Sequence, residues 1–258
     1  MSSLAPDEGG LRVLAGPDRL APPDDVGVGP ALLRAVAAEG AGGWLRLYRP
    51  APTVAFSRRD TLSAGFSHAA AVGAAAGYVP VLRGPGGRAA VYDDRALCVD
   101  LAVADPDPGA RMLTRFAEFG ELLVEALAGL GVAAAVAPVP GEYCPGRYSV
   151  SAGSRKLAGS AQRMMPGGWL LSAVLLVDGA DEVRDVVRGV YTALEQPCDP
   201  ATVGAVADLA PGVTVDDAAA AVRAAFGARV HLKAAGCPGL LAQARAAAAD
   251  RRVPELVG

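Results

Sequence analysis

The chain has only two histidines, His68 and His231, and its four cysteines (Cys98, Cys144, Cys198 and Cys237) form no CxxC pair. No metal is therefore expected, because a zinc site would have to gather ligands from distant segments. Long hydrophobic runs are also missing. The 52% hydrophobic fraction is inflated by alanine, and the longest weakly polar run, Ala69 to Leu82, is too short to span a bilayer. The first ten residues, MSSLAPDEGG, have neither a basic n-region nor an apolar h-region, so no signal peptide is expected. A net charge of −3 argues against a nucleic-acid surface. The expectation is a cytoplasmic protein with free thiols, no membrane contact, no nucleic-acid partner and, by default, a monomer.

With 258 residues the chain can bury a substantial core. No internal repeat or linker divides it, so one domain over 1–258 is expected, with residues 1–30 (rich in Pro, Gly and Asp) as an irregular opening segment. Beyond it, apolar runs between turn residues predict strands at Trp44–Tyr48, Thr53–Phe56, Tyr78–Leu82, Ala89–Tyr92 and Ala96–Val103. A short helix is expected over His68–Ala76. Over Ala110–Leu130 the residues Met112, Phe116, Phe119, Leu123, Leu127 and Leu130 recur at helical spacing, with Arg115, Glu118, Glu121 and Glu125 elsewhere on the wheel.

Val132–Val136 reads as a strand. Tyr148–Ala152, Lys156–Ala161 and Trp169–Val177 then read as an antiparallel meander. Helices follow at Glu182–Leu194, at Ala218–Phe226 behind a capping-box start at Thr214, and at Gly239–Ala249 within a helical tail over 238–258. The fold class is α+β: a mostly antiparallel sheet packed with helices.

The stretch GEYCPGRYSVSAGSRKLAGSAQ, Gly141–Gln162, carries the chemistry. Cys144 lies in a turn of Gly, Pro and charged residues, a setting that exposes a thiol near cations. Lys156 follows twelve residues later, where a hairpin can return it to the thiol, and the small residues Gly159 and Ser160 after it allow close approach of a ligand. A thiolate that attacks a carbonyl, beside an ammonium that stabilises the developing charge, suits acyl chemistry. Cys98, within ALCVDLAV, reads as core. Cys198 and Cys237 sit beside prolines, and nothing nearby singles them out. The loop Arg83-Gly-Pro-Gly-Gly-Arg88 offers amides and two counter-charges to an anion or a polar acyl head, without the spacing of a P-loop or a dinucleotide fingerprint.

These segments resemble the lipoate/octanoate protein-acyl family of lipoate–protein ligases, octanoyltransferases and octanoyl amidotransferases. Arg46-Leu-Tyr48 with Pro52-Thr-Val54 is similar to its early strand pair. Arg83 through Gly86, Gly87, Arg88 and Val91 to Asp93 is similar to its acyl-binding loop. Arg155-Lys156-Leu-Ala-Gly159-Ser160-Ala-Gln162 matches its R-K-x-x-G-x-x-Q strand, and Tyr143-Cys144-Pro145-Gly146 resembles the turn of the amidotransferase branch. Departures are the missing asparagine of the acidic N-terminal helix motif, where Asp24-Asp25 keep the acids, and Pro85 in place of Ser or Thr.

The resemblance implies the fold of the biotin/lipoate protein ligase catalytic domain and an octanoyl or lipoyl transfer in protein lipoylation. In that reading Cys144 is the thioester nucleophile, Lys156 orients the acyl carbonyl, and Arg83, Gly86, Gly87, Arg88, Gly159, Ser160 and Gln162 bind substrate. An apolar tunnel is expected, with Tyr48, Val54, Phe56, Val79, Val91 and Val174 as lining. The implied partners are lipoyl-domain proteins (2-oxoacid dehydrogenase E2 or a glycine-cleavage H-type carrier) or acyl carrier protein, and a transferase needs no cofactor. The alternatives are an ATP- and Mg-dependent lipoate–protein ligase, which needs no cysteine, and a non-catalytic lipoyl-domain binding protein.

Overall fold

The computed structural model describes residues 2–6, 9–15, 20–237, 239–246, 251 and 253. Eleven strands run in chain order: β1 (Leu11–Leu14), β2 (Gly43–Tyr48), β3 (Thr53–Phe56), β4 (Val79–Leu82), β5 (Ala90–Tyr92), β6 (Ala96–Ala104), β7 (Ala135–Val136), β8 (Val150–Ala152), β9 (Arg155–Met165), β10 (Gly168–Leu176) and β11 (Leu232–Ala235). Six helices accompany them: α1 (Pro22–Glu39), α2 (Phe66–Ala75), α3 (Met112–Ala128), α4 (Ala180–Ala193), α5 (Val215–Gly227) and α6 (Leu240–Ala246). The large sheet has the order β11-β1-β2-β6-β10-β9-β8-β7, and β3 lies between β4 and β5 in a small second sheet. The large sheet is antiparallel from β2 to β7; only β11, β1 and β2 pair in parallel. This is the expected α+β class, with the expected meander as β8, β9 and β10.

Strand periodicity sorts the core. On β6, Leu97, Val99, Leu101 and Val103 join the cluster that α3 and α5 cover, with Phe119, Leu123, Val222 and Phe226. The alternate residues face the other way, Cys98 toward the small sheet, α2 and α4, and Ala102 toward α1 and α6. Asp100 stands between them on the same face. Thr214 caps α5 as expected: its hydroxyl accepts from the Asp217 amide at 3.2 Å, and the Asp217 carboxylate accepts from the Thr214 amide at 2.9 Å. Among the described residues, no helix is long and apolar enough to cross a membrane.

Residues 1–30 are not irregular throughout. β1 pairs with β2 and β11, and α1 begins at Pro22. The prolines at the start of α1 need no amide partner, and its internal glycines answer close approach rather than a turn. A Cβ on Gly27 would lie 2.8 Å from the Ala244 carbonyl oxygen of α6, and one on Gly29 would lie 3.0 Å from the Asp100 carboxylate. Two further differences concern packing. Arg115 is fully buried instead of lying on a polar face, with its Nε donating to Gln162 Oε1 at 3.0 Å and its guanidinium over Trp169. Of the expected Val132–Val136 strand only β7 forms. For the C-terminal tail, α6 ends at Ala246; residues 247–250, 252 and 254–258 lie outside the described residues.

A buried ionic cluster ties α1 to the sheet. Arg46 on β2 donates to Asp25 Oδ1 at 2.5 Å and to the Asp25 carbonyl oxygen at 3.3 Å, and lies 3.8 Å from Asp100 Oδ2. Ser172 on β10 donates to Asp100 Oδ1 at 2.5 Å. Burial raises the carboxyl of Asp25 from 3.8 to about 6 despite the opposing pull of Arg46, and it raises that of Asp100 as well. Between the two Asp25 values the folded chain keeps a proton that the unfolded chain has released. Its contribution to stability therefore falls as pH rises through that window. Urea midpoints at pH 4 and pH 6.5 are expected to show a loss about 1–3 kcal/mol larger in the parent chain than in Asp25→Asn, where Asp100 still contributes. Equal slopes in the two proteins would refute the assignment.

Candidate active site

The turn that carries Cys144 is built by three buried groups. Glu142 Oε1 accepts from the Gly146 amide and from Ser149 Oγ, each at 2.9 Å. Lys156, at the start of β9 and 2% exposed, lies 3.3 Å from Glu142 Oε2 and donates to the carbonyl oxygens of Tyr143 at 3.1 Å and Cys144 at 2.9 Å. Tyr191 of α4 accepts from the Cys144 amide at 2.6 Å and donates to the Ala89 carbonyl oxygen at 2.8 Å. These contacts hold Cys144 at φ +41°, a left-handed conformation unfavourable to a residue with a side chain. Backbone held this way, against the local preference, is the form strain takes at functional sites.

The half-buried sulfur accepts from the Arg88 amide at 3.3 Å and from Arg83 Nη2 at 3.6 Å. The glycine loop after β4 thus turns an amide and a guanidinium toward the sulfur. Gly87, at φ +106°, is the residue that permits this: a Cβ there would lie 3.0 Å from Cys144 Sγ and 2.6 Å from Arg83 Nη2. The other thiols are differently placed. Burial pushes Cys98 well above its ordinary value and Cys198 up to about 11, so both remain protonated.

Cys144 opens onto a cavity of 380 Å³, within the range of small-ligand sites. Its mouth is formed by the glycine loop and residues 143–149, one wall by Gly159–Gln162 of β9, and its depth by Tyr48, Tyr92, Cys98, Asp100, Ser172 and Val174. β8 pairs only with Arg155–Ala158, so β9 beyond Ala158 borders the cavity instead of a strand. Met112 and Phe116 of α3 close this side, with Phe116 stacked on Tyr148 at 5.6 Å.

All the predicted site residues converge here, in roles more specific than expected. Cys144, Lys156, Arg83, Gly86, Gly87, Gly159, Ser160 and Gln162 line the cavity. Arg88 contributes its amide, while its side chain turns 3.5 Å from Asp60. Gln162 spends its amide on Arg115 and on the Met112 carbonyl oxygen, fixing the first turn of α3. The predicted tunnel lining is only partly right. Tyr48 and Val174 line the cavity, but Val54, Phe56 and Val91 are buried in the core around the small sheet, and Val79 is exposed. Strands β3 and β5 turn these side chains toward α2 and α4.

Glu142 and Tyr191 were not foreseen. A signal existed for Tyr191, because a tyrosine four residues after Val187 on an apolar helix face must find a partner for its hydroxyl. Among the described residues, no group of three or more His, Cys, Asp or Glu side chains could hold a metal.

A family model, the lipoyl protein ligase A/B catalytic domain, matches residues 26–227. An octanoyl-GcvH:protein N-octanoyltransferase of Bacillus velezensis is 31% identical over 136 residues, 52% of this chain and 47% of that protein. One of Geobacillus kaustophilus is 29% identical over 162 residues, 62% and 57% of the two chains. A lipoyl-GcvH:protein N-lipoyltransferase of Listeria monocytogenes is 26% identical over 162 residues, 62% and 58%. The matched stretch thus spans about half the length of these curated relatives. Among solved structures, a lipoate-protein ligase A bound with ATP superimposes with TM-score 0.74 at 20% identity, covering 92% of this chain and 94% of that one. A putative lipoate protein ligase of T. acidophilum with bound lipoic acid gives 0.72 at 19%, covering 93% and 94%. The fold is shared with these ligases, and the chain belongs to the lipoyl protein ligase A/B catalytic domain family.

Proposed function

We propose that this chain transfers an octanoyl or lipoyl group from a carrier protein to a lysine of a lipoyl domain through a thioester on Cys144. The observation that carries the reading is the placement of Cys144 Sγ at the cavity mouth with two donors directed at it. The thiolate attacks the carbonyl carbon of the bound acyl group and forms the C–S bond. The donor nitrogen or sulfur departs with a proton. The amine of an acceptor lysine then attacks the thioester, the C–N bond forms, the thiolate leaves, and the amine's proton passes to solvent. The step needs no cofactor. Adenylation by a ligase would need no cysteine at this position, and the relatives named as GcvH-dependent transferases support a carrier of that type.

The residues divide the work by position. Each methylene of the acyl chain buried in the cavity contributes about 0.8 kcal/mol. Lys156 spends its three donors on the carbonyl oxygens of Tyr143 and Cys144 and on Glu142, so it is a positioning residue that holds the cysteine turn, and the donors left facing the reacting sulfur are the Arg88 amide and Arg83. Tyr191 is a positioning residue that holds the Cys144 amide in place.

Incubation with an octanoylated H-type carrier is expected to add one acyl mass to the chain, mapped to Cys144 and released by hydroxylamine, and to add none to Cys144→Ala. A parent chain that transfers octanoate with no adduct at Cys144 would overturn the mechanism. Tyr191→Phe strands a buried amide, at a cost of about 1–3 kcal/mol. Its kcat is expected to fall about tenfold or more with KM unchanged and the alkylation rate of Cys144 altered. An unchanged kcat and alkylation rate would remove Tyr191 from the positioning role.

A further inference from the structure

A second cavity, of 480 Å³, lies behind the glycine loop. Pro85, Gly86, Gly87 and Pro145 line both cavities, so the glycine loop and Pro145 form the partition between them. Both linings are mainly apolar and both carry cations: Arg83, Arg147 and Lys156 in the cavity of Cys144, and Arg58, Arg59 and Arg88 in the second. The carboxylate that faces Arg88 is turned away from solvent. Asp60 is fully buried, and its Oδ2 accepts from the amide and the hydroxyl of Ser57, each at 2.8 Å, while Oδ1 faces Arg88 at 3.5 Å.

Arg58 and Arg59 are exposed, and among the described residues neither forms an ion pair. In a chain of net charge −3, two unpaired arginines and a third only partly neutralised make a local excess of positive charge beside the nucleophile. Exposed arginines that the fold does not use offer charge-assisted hydrogen bonds to carboxylates.

We propose that this groove is the docking surface for acidic side chains that flank the acylated lysine of the carrier protein. The carrier then approaches from the arginine side, and its acylated arm crosses the glycine partition to reach Cys144. The proposal rests on Cys144 as the acyl-transfer site and adds the direction of approach and the charge of the partner. There is room beside the partition, since a Cβ on Gly86 would meet nothing within 4 Å.

The test compares two donors on the parent chain and on the double variant Arg58→Glu/Arg59→Glu. One donor is an octanoylated H-type carrier. The other is octanoyl-N-acetylcysteamine, an uncharged thioester that needs no docking. In the variant, acylation of Cys144 by the carrier is expected to fall about tenfold or more, the scale of electrostatic steering, and to lose its dependence on ionic strength. Acylation by the small thioester is expected to stay within about twofold, and Arg58→Lys/Arg59→Lys to retain most of the carrier rate.

Unchanged carrier kinetics would overturn the proposal. So would an equal fall with both donors, which would place the arginines in the support of the turn. Dependence on the arginines that appears only with octanoyl-acyl carrier protein would assign the groove to a phosphate-bearing arm instead, and would also overturn it. Titration of the deacylated H-type carrier against both proteins separates the two levels. If neither donor acylates the parent chain, the Cys144 reading fails, while carrier binding lost in the double variant still upholds the groove, and equal binding sinks it.

Discussion

A single buried ammonium organises this site. Lys156 is withdrawn from water, and three oxygens from Glu142, Tyr143 and Cys144 replace its hydration. A buried charge is tolerated only when its hydrogen bonds are met, and removing one partner of such a pair typically costs about 3–5 kcal/mol. The geometry of the cysteine turn is therefore a condition of burying the lysine, and the lysine is a condition of the turn. The carbonyl of Cys144 points inward to the ammonium, and its amide points to Tyr191. With both backbone groups committed, the side chain is left to project toward the glycine loop. The left-handed backbone of Cys144 follows from these anchors.

The same logic fixes the cavity. β9 outruns its neighbour β8, and along the part that pairs only with β10 the residues include Gly159, Ser160, Ala161 and Gln162. Small side chains at a sheet position that would otherwise be packed leave volume, and α3 covers that volume with Met112, held by Gln162, and Phe116. The floor is polar: Asp100 and Ser172 lie opposite each other on β6 and β10, with Arg46 and Asp25 behind them. An aliphatic side chain at Asp100 would pack the junction between the core clusters. The carboxylate, held by Ser172 and Arg46, leaves it open.

How much of this the sequence disclosed depended on the range of the interaction. The helix Met112–Ala128 and the meander of β8, β9 and β10 follow from local periodicity and turn residues, and they were legible. The cysteine turn and the Lys156 strand were legible too, because Pro145, Gly146 and Gly159 mark unusual backbone in their own neighbourhood. The helix α1 was not, since Pro22, Pro23, Gly27, Gly29 and Pro30 count against a helix until their partners are known. Gly27 answers to α6 and Gly29 to Asp100, contacts that no local window contains. Arg115 misled for the same reason, its partners Asp105 and Gln162 lying on other elements. The tunnel lining failed at the small sheet, where hydrophobicity alone does not tell which face of β3 meets α2 and which meets the cavity.

The glycine loop shows why local composition can still point to a site without describing it. Read alone, Arg83-Gly-Pro-Gly-Gly-Arg88 offers two cations to an external anion. In the folded chain Arg83 bonds the Arg88 carbonyl oxygen at 2.8 Å and faces Cys144 Sγ, and Arg88 faces Asp60. The loop's charges are thus largely spent inside the protein, on the nucleophile and on a buried carboxylate. What remains for an outside partner lies earlier in the chain, at Arg58 and Arg59, which the sequence offers only as two exposed arginines after a strand. Their position matters because Pro85, Gly86, Gly87 and Pro145 line both their groove and the cavity of Cys144. An anion held there and a thioester formed at Cys144 would stand on opposite sides of one stretch of backbone, which is the arrangement a reaction between two proteins needs if one is to hold the other while its arm delivers the acyl group.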